Sequence, residues 1–374
     1  MNKPISKMMS LFLFCFLLGQ TSYGKMVSLS ADTRNELVQR VGYALSNPSS
    51  PNQTSLSDNN NALPPSVQLG MNGVPVFNQG WEWSTCTTMA VTAALDALYS
   101  LKDGQMISPT CFLQLNNLSW WDGNDSFRVV SAFEYFGYWT QKDQETIKVD
   151  GKPACGGLTK YPFSDGSDFS KVPSLNLSDP DTFEKYKDQE KKQRNSDGGN
   201  GTSMSLSVYQ QYGKKLLKSN NWRVIATHYA PQQAGQTLQQ VKESLTKGNR
   251  LVFTMFFDPF LSDKGHSMGA LGSYLAHWDT WVLTNQIKTD LQTYLSVFQH
   301  DMVITGYDDT ACVSYVDEGQ AKQECGLLKI RNSGGDKMGN HGDFYMSYDY
   351  FKTLANGWVI AIGRNPSSGS SAEK

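Results

Sequence analysis

The chain has 374 residues, with 33 basic against 35 acidic side chains, a net charge of −2 and 39% hydrophobic content. That length holds one large domain or two small ones. A near-neutral balance without a basic stripe argues against nucleic acid as the main partner.

The chain opens on Lys3 and Lys7, continues with an apolar run from Met8 to Leu18 broken by Ser10, and offers small residues for cleavage in Ser22-Tyr23-Gly24. Residues 1–24 read as a secretory signal peptide. The run is too short to span a bilayer, and no later stretch is long and apolar enough to do so. A secreted protein without a stable membrane anchor is expected, with a retained anchor as the alternative. Losing residues 1–24 removes two lysines and no acids, which takes the charge from −2 to −4. Residues 25–62 are separate in character. Ser30 to Ser46 can form an amphipathic helix with Leu37, Val41 and Leu45 at spacing four, and the polar run that follows to Asn61 cannot bury a core. This segment is either a flexible N-terminal extension or a short pro-segment lying over a site until removed.

A globular domain is expected over residues 63–364, organised around Asn78-Gln79-Gly80 and the stretch from Trp81 to Ala90. A Gln-Gly turn leads into Cys86, after which small and apolar residues at 90, 93, 94, 97 and 98 repeat at helical spacing. Ser84 or Thr85 is placed to cap that helix, which puts Cys86 in the first turn. There the unpaired N–H groups and the positive end of the macrodipole favour a thiolate, the form a nucleophile needs. A buried inert cysteine is the alternative. Gln79 weighs against it, because its amide and the Cys86 backbone N–H together make a pair of oxyanion donors.

Cysteine counting points the same way. Six cysteines less Cys15 of the signal leave five, an odd number in an exported chain. Cys312 and Cys325 flank a strand and the Gly319 turn and are expected to staple a hairpin. Cys111 and Cys155 form the other candidate pair, leaving Cys86 as the thiol; other pairings stay open.

Farther along, a helix is expected in the 127–138 stretch. Residues 178–222 hold a charged run, Asp179 to Arg194, and read as a surface insertion. An amphipathic helix over Leu238–Leu245 ends before Gly248, and Leu251–Phe257 reads as a buried strand. Residues 259–296 read as a second insertion, with a helix around 281–294. Strands follow at 302–307, 326–331, 343–348 and 359–362. The tail over 365–374 is Ser/Gly-rich and expected to be disordered. A helix-rich first half and strand-rich second half make this an α+β chain with two lobes. The cluster of Trp81, Trp83, Trp120 and Trp121 suits either a substrate groove or lobe packing.

A thiolate nucleophile needs a base, and the base needs an orienting partner. Of five histidines, His300 opens the strand that runs to Gly306-Tyr307, and Asn332 ends the next strand. His228 reads as a structural histidine and His341 as an exposed one. His266 and His277 are better read as surface residues than as a metal pair.

In order, Gln79-Gly80, Cys86, His300 with Gly306-Tyr307, and Asn332-Ser333 with Gly339-Asn340-His341-Gly342 resemble the papain-like cysteine peptidases. The likeness spans about residues 62–362. It departs from the family pattern in one extra residue between Gln79 and Cys86, in lacking the cysteine before the nucleophile, and in Thr87 and Gly334 where tryptophans are usual. The resemblance implies a two-lobed fold with a helical left lobe and a β-barrel-like right lobe, carrying surface insertions. It also implies peptide-bond hydrolysis of a protein or peptide substrate without a metal or organic cofactor. Cys86 would attack the carbonyl, His300 would exchange the proton, Asn332 would orient His300, and Gln79 with the Cys86 N–H would hold the oxyanion. The competing readings are a catalytically inactive binding protein of the same fold, and an acyltransferase or deamidase using the same Cys-His pair.

Overall fold

The structure, a computed structural model, describes residues 26–27, 63–79, 85–102, 104–109, 111–112, 126–149, 151–153, 211–218, 220–226, 234–257, 279–285, 287–289, 297–336 and 339–364. The signal peptide, the helix expected over 30–46, the four clustered tryptophans, Ser84, Cys155, His228, His266, His277 and the tail from 365 lie outside them, as do most of the two insertions.

The strands are β1 (Met26–Val27), β2 (Ser66–Gln68), β3 (Lys148–Val149), β4 (Lys152–Pro153), β5 (Trp222–Ala226), β6 (Arg250–Phe257), β7 (Thr280–Trp281), β8 (Val297–Asp317), β9 (Gln320–Arg331), β10 (Asp343–Ser347) and β11 (Ala355–Ile362). The helices are α1 (Cys86–Tyr99), α2 (Ser126–Phe136), α3 (Gln141–Thr146), α4 (Ala234–Thr246) and α5 (Tyr348–Leu354). One sheet runs β5-β11-β6-β8-β9-β10-β7, with β1 and β2 also paired to β8. Its ladders are antiparallel except β10 with β7.

The sheet is open among the described residues, not barrel-like as expected. Helices cover both of its faces, so its apolar side chains are buried without closure. Alternate residues of each strand point to opposite faces. Val252, Val303, Ile360 and Ile362 pack with α1 and α2, whereas Leu251, Phe253, Met302 and Ile304 pack with α4 and α5. Of the helix expected around 281–294, Trp281 belongs instead to β7 and stacks on Phe344, while residues 285 and 287–289 are helical. The Cys312–Cys325 disulfide is present and joins directly paired residues of β8 and β9.

The helix α1 is buried on every side, not on one stripe: all residues from Cys86 to Leu98 are buried. Its alanines at 90, 93, 94 and 97 let sheet and α2 approach closely. That arrangement also buries polar groups, which must then be paired. Asp96 Oδ1 accepts the Ile107 N–H at 3.0 Å, while its Oδ2 has no hydrogen-bond partner among the described residues. Gly306 is needed for a different close approach. A Cβ there would strike the Val67 carbonyl of β2, and the next residue, Tyr307, ties down the same segment through its hydroxyl to the Pro64 carbonyl at 2.6 Å.

Burial pushes the Asp96 carboxyl up to about 7, against the Ile107 hydrogen bond. A folded-state value above the unfolded one means that stability is full at acid pH and falls as pH rises through about 7. Asp96→Asn keeps the acceptor and removes the charge. It should be more stable than the parent by about 2 kcal/mol at pH 8 and nearly equal to it at pH 4, as read by urea unfolding.

Candidate active site

Cys86 is the first residue of α1, with Thr85 at the N-cap position. Thr85 does not cap with its side chain; the first turn is closed by the backbone bond from Met89 N–H to the Thr85 carbonyl at 3.0 Å. The sulfur lies at the junction of helix and sheet, 3.8 Å from Asp301 Oδ2, to which the thiol donates. The expected partner, His300, is the preceding residue of the same strand. Neighbours on a strand face opposite ways. Asp301 shares the face of Val303, which packs toward α1, and His300 is turned toward the end of β9.

There His300 Nε2 meets Asn332 Oδ1 at 2.6 Å. That oxygen also accepts the Ser333 N–H at 2.8 Å, which fixes the amide's orientation. A carbonyl oxygen cannot donate, so Nε2 carries the hydrogen and Nδ1 is the basic nitrogen of the neutral ring. The β9 end is itself laced to the segment before Cys86. Gln79 N–H donates to the Ser333 carbonyl at 2.9 Å and Gly335 N–H to the Phe77 carbonyl at 2.9 Å. The Ser333 hydroxyl donates to Gln79 Oε1 at 2.5 Å. With its oxygen on Ser333, the Gln79 amide turns its NH2 end the other way. Of the four residues singled out in the sequence, His300 and Asn332 are in direct contact and Gln79 is joined to them through Ser333; Cys86 is bonded instead to Asp301, the residue after His300.

Sequence reasoning missed Asp301, Thr87 and Thr254. Thr87 Oγ1 donates to Asp301 Oδ2 at 2.5 Å and Thr254 Oγ1 to Asp301 Oδ1 at 2.6 Å. Asp301 is 5% exposed. One signal was present: Thr254 is the polar residue in an otherwise apolar buried strand after Arg250, and a hydroxyl in that setting needs a partner.

His300 is fully buried and Cys86 nearly so. Burial pushes the Cys86 thiol up to about 12, with the Asp301 carboxylate adding to the shift. Burial also pulls His300 down to about 4, against its bond to Asn332. The helix start was expected to favour a thiolate; desolvation overrides the dipole, and at neutral pH the pair is a thiol and an uncharged imidazole.

No family model and no curated protein matches the chain. Among solved structures it is similar to xylellain, a cysteine protease from Xylella fastidiosa, at 17% identity over 92% of this chain and 97% of that one, with a TM-score of 0.45. It is also similar to the proform of the ragweed pollen cysteine protease Amb a 11, at 14% identity over 87% and 75% of the two chains and a TM-score of 0.41. A third is digestive procathepsin L 3 of Tenebrio molitor larval midgut, at 14% identity over 92% and 84% and a TM-score of 0.38. All three are papain-like cysteine proteases; the chemistry of the site rests on this chain's own side chains.

The depressed His300 value carries a stability signature. Between pH 6.5 and about 4 the unfolded chain takes up a proton that the folded ring refuses, so stability falls as pH drops through that window. The loss should be on the order of 3 kcal/mol, and His300→Gln should flatten this part of the melting-temperature profile.

Proposed function

We propose that the chain is a secreted papain-like cysteine peptidase that hydrolyses peptide bonds. In the working site Cys86 Sγ gives its proton to His300 Nδ1 and attacks the substrate carbonyl. The imidazolium then protonates the leaving amine, and water releases the acyl group. Asn332 holds the ring with Nε2 protonated, which is the tautomer this transfer needs. The Gln79 amide and the Cys86 backbone N–H are assigned to the oxyanion. The observation that carries the reading is the Asn332–His300 bond, beside which a buried free cysteine at a helix start bonds the next residue of the strand, Asp301. The two hydrophobic cores are assigned to the two lobes expected of this architecture. No helix among the described residues is long and apolar enough to cross a membrane, and the Cys312–Cys325 disulfide suits an oxidising compartment.

One observation favours the inactive binding protein as the second reading: the sulfur is bonded to Asp301 in place of His300. The two readings separate on one experiment. Cys86→Ala should abolish hydrolysis of an unfolded protein substrate by the secreted chain, with new N-termini appearing in the parent digest alone. A parent that folds and cleaves nothing decides for the binding protein. Release of ammonia or acyl transfer without new N-termini decides for a deamidase or an acyltransferase.

The N-terminal extension is assigned as a pro-segment. Met26 pairs with Phe298 and Val27 with Val297, which lays these two residues along β8 just ahead of His300. Limited cleavage between residues 28 and 62 should raise the hydrolytic rate at least tenfold. An unchanged rate after complete cleavage means that the segment does not restrain the site.

A further inference from the structure

Asp301 is a costly residue to keep where it stands. A carboxylate removed from water loses far more than it regains unless donors surround it. Here the donors come from both sides of the helix–sheet junction: Thr87 from α1 at 2.5 Å, Thr254 from β6 at 2.6 Å, and the Cys86 thiol at 3.8 Å. The two hydroxyls fix both oxygens, so the carboxylate cannot swing away from the sulfur. Oδ2 is shared by Thr87 and Cys86, and both bonds are of the kind an ionised, acceptor-only group makes. A negative charge held at that distance favours S–H over S⁻ and draws the sulfur toward Oδ2.

The other groups around the junction do not offset this charge. Met89, Ala90 and Ala93 of α1 and Val303 of β8 are apolar. Pro75 and Phe77 on the segment before Cys86 are apolar too, and Asn332 and Ser333 are uncharged. The cation lining the same pocket is Arg331. Its guanidinium is spent on Asp343 at 2.7 Å and the Val74 carbonyl at 3.1 Å. His300 is engaged with Asn332 through Nε2. Among the described residues, the titratable group hydrogen-bonded to the sulfur is Asp301.

We infer that Asp301 is a positioning residue that parks Cys86 as a thiol turned away from His300, so that the nucleophile is deployed when the carboxylate is neutralised or displaced. This rests on the reading of Cys86 as the nucleophile. The step is balanced within the site. On release, the S–H bond breaks, its proton passes to Nδ1 of His300, and the electron pair stays on sulfur; no oxidant or added acid takes part. The upward push on the thiol from the neighbouring carboxylate agrees with the geometry.

The test is the thiolate absorbance of Cys86 near 240 nm, taken as the difference between the full chain and its Cys86→Ala variant across pH 5 to 11. In the parent, the thiolate should be absent below pH 9. In Asp301→Asn, which keeps the shape, accepts from one threonine and donates to the hydroxyl of the other, its midpoint should fall by at least one unit. That corresponds to tenfold or more thiolate at pH 8. Iodoacetamide alkylation of Cys86 should show the same midpoint shift, and limited access to reagent slows all pH values alike. A merely structural role for Asp301 would lower stability without moving the midpoint. A midpoint within 0.3 units of the parent's overturns the inference. If Asp301→Asn does not fold, Asp301→Ser is read in its place against the same threshold, and a thiolate half formed by pH 7 in the parent overturns the inference outright. The peptidase reading fails separately. A shifted midpoint in a chain that cleaves nothing keeps the parked thiol and discards the peptidase, and an unshifted midpoint in a chain that cleaves does the reverse.

Discussion

The burial of α1 on every face is the constraint from which the site follows. A helix that packs against a sheet on one side and another helix on the other has no solvent side on which to place its first residue. Cys86 is therefore delivered to the sheet where β8 carries Asp301, next to His300, whose partner Asn332 follows the end of β9. Small side chains make this possible. Four alanines bring the helix axis close to the strands, and each polar residue that comes with them needs an internal partner. Thr87 finds Asp301, and Asp96 finds the Ile107 backbone.

Much of this was legible in the sequence because it is local. The run of small residues after Cys86, the strand from His300 to Tyr307 and the polar Asn332-Ser333 stop are read by spacing alone. The Cys312–Cys325 staple is read from the turn between its halves. The open sheet was not legible, because closure depends on where the end strands β5 and β7 lie, and that is set by helices packed on both faces. Nor was β7: two residues added in parallel to β10 have too short a pattern to register. Asp301 was missed for a sharper reason. An acidic residue beside a histidine at a strand start reads as a polar edge. Its partners come from residues 87 and 254, far away in sequence, and a lone buried threonine shows that a partner is needed without showing which.

The site holds two opposed tendencies. The helix start and the Asn332–His300 bond prepare charge separation, whereas burial and the Asp301 carboxylate resist it. Desolvation wins in the closed arrangement, which leaves both reacting groups neutral. Water or a polar substrate reaching the junction would shift that balance by lowering the cost of the ions. The strand pairing of Met26–Val27 ahead of His300 belongs to the same closed arrangement.

The sheet's long central strand has its own consequence. β8 runs from the site to the disulfide hairpin without a break in the chain, yet its pairing with β9 slips between Ile304 and Gly306 and again between Asp308 and Cys312. Each slip works as an expansion joint, absorbing twist or added length beyond it. The hairpin tip is thereby free to drift over evolutionary time, gaining or losing residues at its turn, while the histidine end keeps its alignment.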